Sequence, residues 1–219
     1  MPQITINLLP NKTYPALKRK GLTIGNSLGH DLSLKYGKLI NSKSPRIVEG
    51  LGPCVGCVIF ANDKFVAHSA PELDNNTNFI KDFISEKIYQ LKNKNKLKDE
   101  DISAVIYGGI AYDSTNPISE DSCRLVDAIE EGCNLESIEP TIITGQFSDG
   151  LTTRIDSYIG QDQITLWGKL IEKIKLTQNT TQAEIQKVLE NLFEYVKIPD
   201  NTKLKVLNQL PARTEGLAK

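Results

Sequence analysis

An α+β fold, built on antiparallel strands with flanking helices and a C-terminal helical extension, is predicted by three features of this 219-residue chain. Short runs rich in β-branched and aromatic residues recur between turn signals from residue 55 to residue 167, as strands joined by tight loops require. Two stretches, Asn75–Leu91 and Ser119–Ile129, carry apolar residues at helical spacing instead. After Trp167 the strand pattern stops, and Lys169–Leu176 and Ala183–Val196 read as two further helices.

Residues 1–45 are polar and mixed, and are expected to form an extension packed on the core. Within them Asn11-Lys-Thr-Tyr-Pro15 is a turn signal and Lys18-Arg-Lys20 a solvated basic cluster. His30, beside Asp31, is a candidate helix-entry residue with no patterned partner. From Arg46 the apolar content rises. Val55, Val58, Ile59 and Phe60 predict one strand, Asn62-Asp63 a turn, and Lys64–His68 the next strand. In such a hairpin paired residue numbers sum to about 125, so the partner of Cys54 lies near position 71, about three residues from His68.

Phe79, Ile80, Phe83, Ile84, Ile88 and Leu91 then form one helical face, followed by the lysine- and asparagine-rich loop 92–98. Ser103–Gly109 is a strand ending in a diglycine, where positive φ or a close backbone approach is expected. Ser119 is the expected cap of the second helix; Glu120 and Asp121 suit the positive end of its dipole. Leu125, Val126 and Ile129 are its buried face, with Cys123 packing on it. Pro140–Gln146, Thr152–Ile159 and Gln163–Trp167 complete the strands, separated by the turns Ser148–Gly150 and Gly160–Asp162. The end, Pro211–Lys219, should fray.

Charge narrows the partners. The 27 acidic and 26 basic residues leave a net charge of −1, without the basic excess that a nucleic-acid surface shows. No run reaches the roughly 18 apolar residues of a membrane span, and the start lacks a basic region followed by an apolar block. A soluble protein made in the cytoplasm is expected, with export by a route that uses no cleaved signal still open.

Cysteines stand at 54, 57, 123 and 133. Cys54 and Cys57 form a Cys-x-x-Cys, but redox pairs place the first cysteine at a helix start, whereas Cys-Val-Gly-Cys-Val-Ile-Phe reads as a strand. Zinc would need a second half, and Cys123, Cys133 and the two histidines are scattered. No metal, no cofactor and no structural disulfide is expected.

The pair that carries chemistry is Cys54, at the head of the apolar run, and His68, fourteen positions on. Attack on an acyl carbon needs a thiolate, and a free thiol with a pKa of about 8.5 is mostly protonated at neutral pH. An adjacent imidazole supplies the missing basicity. The plainer reading is a cysteine acting as a small hydrophobe beside a structural histidine. Cys57 lies an odd step from Cys54, so on a regular strand it faces the other side.

Val48-Glu-Gly-Leu-Gly-Pro-Cys-Val-Gly-Cys-Val58, then Val66-Ala-His68, then Gly108-Gly109, a helix, Thr144-Gly145-Gln146 and a hairpin around Asp162 together resemble CheD, the chemoreceptor glutamine deamidase. The resemblance spans roughly residues 46 to 168, leaving 1–45 and 169–219 as extensions. It implies a layered, sandwich-like core and a kinship in site geometry with the catalytic domain of cytotoxic necrotizing factor and other toxin deamidases. It also implies Cys54 as nucleophile and His68 as base. CheD carries threonine six residues before its cysteine, whereas position 48 here is valine. Val48 could orient the imidazole only through its backbone carbonyl, as a valine does in the necrotizing factor. Pro53 replaces a serine and removes a backbone N–H.

On that basis Cys54 and Val55 would offer the oxyanion N–H groups, in a stretch kept open by Gly50 and Gly52. Thr144 and Gln146 are candidates to line the substrate cleft, or are simply polar residues at a sheet edge. The expected activity is deamidation of a glutamine side chain on a partner protein, with ammonia released through a Cys54 thioester. The partner would be a chemoreceptor or, for an injected effector, a host protein; Val48 and the two extensions favour the effector. A monomer is expected. A transglutaminase or protease using the same dyad, and a binding module without catalysis, are the alternatives.

Overall fold

The computed structural model describes residues 3–10, 34–147, 154–172 and 174–208. The Asn11–Pro15 turn, the Lys18–Lys20 cluster, His30, the Ser148–Gly150 turn and the tail 211–219 lie outside them. Two mixed sheets and four helices make up the described fold. In chain order these are β1 (Ile4–Leu8), β2 (Lys38–Asn41), β3 (Arg46–Leu51), β4 (Val55–Phe60), β5 (Asp63–Ser69), α1 (Thr77–Asn95), β6 (Ser103–Ile110) and α2 (Pro117–Leu135). They continue with β7 (Thr141–Gln146), β8 (Ile155–Ile159), β9 (Gln163–Gly168), α3 (Lys169–Glu172), α4 (Gln182–Leu192), β10 (Phe193–Lys197) and β11 (Thr202–Val206).

The larger sheet runs β10-β7-β6-β4-β5-β2 and the smaller β11-β1-β9-β8-β3. Strand alternation builds three layers from them. Val58, Phe60, Val66 and Tyr107 of the larger sheet pack with Val48, Ile155, Ile164 and Leu166 of the smaller. Val55, Cys57, Ile59, Phe65 and Ala67 point the other way, onto Ile80, Ile84, Ile88, Leu125 and Ile129 of α1 and α2. Lys64, fully buried, joins the sheets at one end by donating to the carbonyls of Ser42 (2.9 Å) and Gly160 (2.6 Å).

The predicted antiparallel hairpins β4–β5 and β8–β9 form. Other pairings are parallel: β6 with β7, and β1 with both β9 and β11. For β6 and β7 the reason is the helix between them, since a crossover returns the chain in the same direction. The N-terminal segment contributes more than an overlay, because β1 occupies an interior position of the smaller sheet. The C-terminal segment is not wholly helical. α4 stops at Leu192, Phe193 turns into the inter-sheet core, and β10 and β11 each join a sheet.

Helix α2 begins two residues before the expected cap. Asn116 accepts from the Ile118 N–H (3.1 Å), and Pro117 fills the first turn, where no N–H is needed. Ser119 instead closes the preceding loop through the Asp113 N–H (2.9 Å). The diglycine behaves as anticipated, with φ of 90° at Gly108 and 68° at Gly109. Among the described residues no helix is long and apolar enough to cross a membrane.

Candidate functional site

Hairpin register decides the relation of Cys54 to His68. Val55 stands opposite Ser69, Gly56 opposite His68 and Phe60 opposite Lys64, so paired numbers sum to 124, one below the expected value. Cys54 immediately precedes the strand and falls one diagonal step from His68. Diagonal neighbours on one face of a sheet are about 7 Å apart, within reach of a histidine ring. The faces agree. Cys54 packs against the inter-sheet cluster, and His68 shares the parity of Val66, which belongs to it. Cys57 belongs to the helix-side cluster and so faces away from both.

In the same cross-strand row as His68, with Gly56 between them, stands Tyr107. It occupies the space left by Gly56, and its hydroxyl is hydrogen-bonded to Ser157 (2.8 Å) across the sheets. Ser157 in turn stands opposite Val48 on β3, the edge strand of the smaller sheet. Val48 is fully buried, and its side chain contributes to the inter-sheet cluster. Just beyond it the register slips, and Gly50 takes φ 76° with its N–H donating to Asp156 (2.7 Å). A side chain would strain that conformation.

The loop bearing the cysteine is held by its carbonyls. Gln146 Nε2 donates to those of Leu51 (2.9 Å) and Gly52 (3.2 Å), Ser122 Oγ to that of Pro53 (3.0 Å), and the Gly109 N–H to that of Cys54 (2.9 Å). A Cβ at Gly108 would lie 2.8 Å from the Cys54 oxygen, and one at Gly109 would lie 2.9 Å from Ser122 Oγ. The diglycine is therefore the close approach that lets the loop dock.

The Val55 N–H, expected from the sequence to serve the oxyanion, is directed elsewhere. With the Cys54 carbonyl turned to β6, the trans peptide turns the Val55 N–H the other way, toward Ser69 on β5. Val55 is thus not placed to donate to an oxyanion above Cys54. Thr144 and Gln146 do not line a cleft with the dyad either. Thr144, buried, lines a separate 280 Å³ concavity with Cys123, Asp127 and Glu194 on the helix side. Gln146 is fully buried and acts on the loop backbone. Neither Ser122 nor the clamp by Gln146 was legible in the sequence; only the diglycine hinted that something must approach there.

Burial pushes the Cys54 thiol up to about 11, the Glu72 carboxylate adds to this, and Arg154 opposes it. The resting sulfur is therefore a thiol. Burial also raises Asp156, against the stabilising Gly50 N–H, with Glu49 raising it further and Arg154 again opposing. Such an arrangement can deliver a sulfur nucleophile provided a neighbouring base removes its proton during attack. No protein-family model and no curated protein matches this chain.

Proposed function

We propose that this protein is a cysteine-dependent protein-glutamine deamidase, acting on a side-chain amide of a partner protein. One observation supports the reading above all: Cys54, immediately before β4, and His68, on the adjacent antiparallel β5, share one face and stand one diagonal step apart. His68 accepts the thiol proton as Cys54 Sγ attacks the amide carbon, and the tetrahedral oxyanion is met by the Cys54 N–H. Collapse breaks the C–N bond, and His68 returns the proton to the departing ammonia. Water, deprotonated by His68, then hydrolyses the thioester to leave glutamate and a free thiol. The Val48 carbonyl belongs to this proposal as the group that orients the imidazole.

The high-lying thiol fits a base that acts during attack better than a standing thiolate–imidazolium pair. The new negative charge on the target is the functional output, as befits an effector or a receptor-modifying enzyme.

The test is mass mapping of bacterial chemoreceptor domains and of a soluble eukaryotic protein extract after incubation with wild type or Cys54→Ala. A gain of about 1 Da at a glutamine, present only with wild type, is expected from exchange of NH₂ for OH. Attachment of an amine at that glutamine would instead assign a transglutaminase. No change, with Cys54 inert to iodoacetamide, would leave a binding module.

A further inference from the structure

We infer that Ser122, on helix α2, is a positioning residue that aims the Cys54 N–H at the oxyanion; the inference rests on the acyl chemistry proposed for Cys54. Ser122 is buried, 1% exposed, and its hydroxyl is committed on both sides. Its oxygen accepts the Ile110 N–H (3.3 Å) while its proton goes to the Pro53 carbonyl (3.0 Å). The Pro53 carbonyl is thereby drawn toward α2, on the helix side of the larger sheet.

No cis peptide is present among the described residues. In a trans peptide the N–H points opposite to the carbonyl that shares its plane. The Cys54 N–H is therefore directed away from α2, toward the face on which Cys54 packs and His68 lies. The same rule applied one peptide later sends the Val55 N–H to β5, and the Gly52 N–H is bonded to the Gly50 carbonyl (2.9 Å), so of these three amides Cys54 carries the one so directed. Pro53 has no N–H to compete. Gly109 is the structural condition for this: a methyl there would meet Ser122 Oγ at 2.9 Å and drive the hydroxyl from the Pro53 carbonyl.

The experiment compares two reactions of the same sulfur. Acylation by p-nitrophenyl acetate passes through a tetrahedral oxyanion: the S–C bond forms, the ester C–O bond breaks, p-nitrophenolate leaves, and the thiol proton goes to the base. Alkylation by iodoacetamide displaces iodide at a saturated carbon and develops no oxyanion. Both rates are measured on the full chain, with Cys54→Ala supplying the background from other thiols. Ser122→Ala should slow acylation by about 10-fold or more, given that loss of an oxyanion donor outright costs about 100-fold. Alkylation should change less than about 2-fold, since it needs no such donor.

Ser122→Cys, a somewhat larger side chain with a weaker donor, should fall between wild type and alanine once the reaction of its own thiol, measured in the Ser122→Cys, Cys54→Ala double variant, is subtracted; it provides the comparison if the alanine variant does not fold. Equal loss of both rates would mean that Ser122 only holds the sulfur in place, and would overturn the inference. Unchanged acylation in Ser122→Ala would overturn it while leaving the deamidase reading standing. Wild-type acylation no faster than that of Cys54→Ala would overturn both.

Discussion

A methyl group on Gly56 would lie 2.6 Å from Cζ and 2.9 Å from the hydroxyl of Tyr107, so the tyrosine ring fills the room that the glycine leaves. Gly56 stands opposite His68, so the ring lies in the same cross-strand row as the candidate base. Gly56→Ala should lower stability by about 1–3 kcal/mol, since the ring is buried and cannot swing aside. The melting temperature should fall by roughly 3–10 °C on the usual scaling for a chain of this size. Tyr107→Phe, which leaves the Ser157 hydroxyl without its partner, should cost about 1–3 kcal/mol while sparing Cys54 alkylation. Calorimetry and iodoacetamide rates check both.

Cys54 alkylation should rise with pH up to about 11, because burial and Glu72 disfavour the thiolate. Glu72→Gln removes a negative charge that raises the thiol, so its profile should shift to lower pH and its neutral rate should increase. Arg154→Gln should do the reverse. A profile of Cys54-specific alkylation with a plateau already at pH 5–6 would reveal a standing thiolate–imidazolium pair and reverse the order of proton transfer proposed for His68.

Gln146→Leu should loosen the cysteine loop, since the carbonyls of Leu51 and Gly52 both lose their donor. A loss of about 1–3 kcal/mol follows from leaving buried acceptors unmet. Gln146→Glu should be worse at neutral pH, as a carboxylate offers no N–H to either oxygen. Denaturant unfolding measures the first effect, and hydrogen exchange of the Gly52 and Cys54 amides shows whether the loop opens.

Lys64 makes stability depend on alkaline pH. Burial, with Arg46 nearby and Asp162 opposing, lowers its folded pKa from 10.5 to about 8. Below pH 8 the ammonium is protonated in both states, and the folded form bears the full cost of burying it. Between about pH 8 and 10.5 the unfolded chain binds the proton more strongly, so this contribution to stability should rise with pH. Lys64→Met should abolish that rise. It should also release the Ser42 and Gly160 turns, visible as faster hydrogen exchange of the amides around them.

What the sequence determined by itself is local. The Val55–His68 hairpin, the opposite facing of Cys57, the helical character around Phe79–Leu91 and Ser119–Ile129, and the unusual backbone of Gly108 and Gly109 all follow from two-residue and 3.6-residue periodicity and from glycine stereochemistry. Only the tertiary structure decided that β1 enters the smaller sheet and that Phe193 ends a helix to begin a strand, since each depends on pairing with distant strands. The same holds for the clamp on the cysteine loop. Ser122 reaches Pro53 across 69 positions and Gln146 reaches Leu51 across 95. No local pattern marks a side chain whose partner is a remote carbonyl, so the direction of the Cys54 N–H was settled by packing of α2 and β7 against the loop.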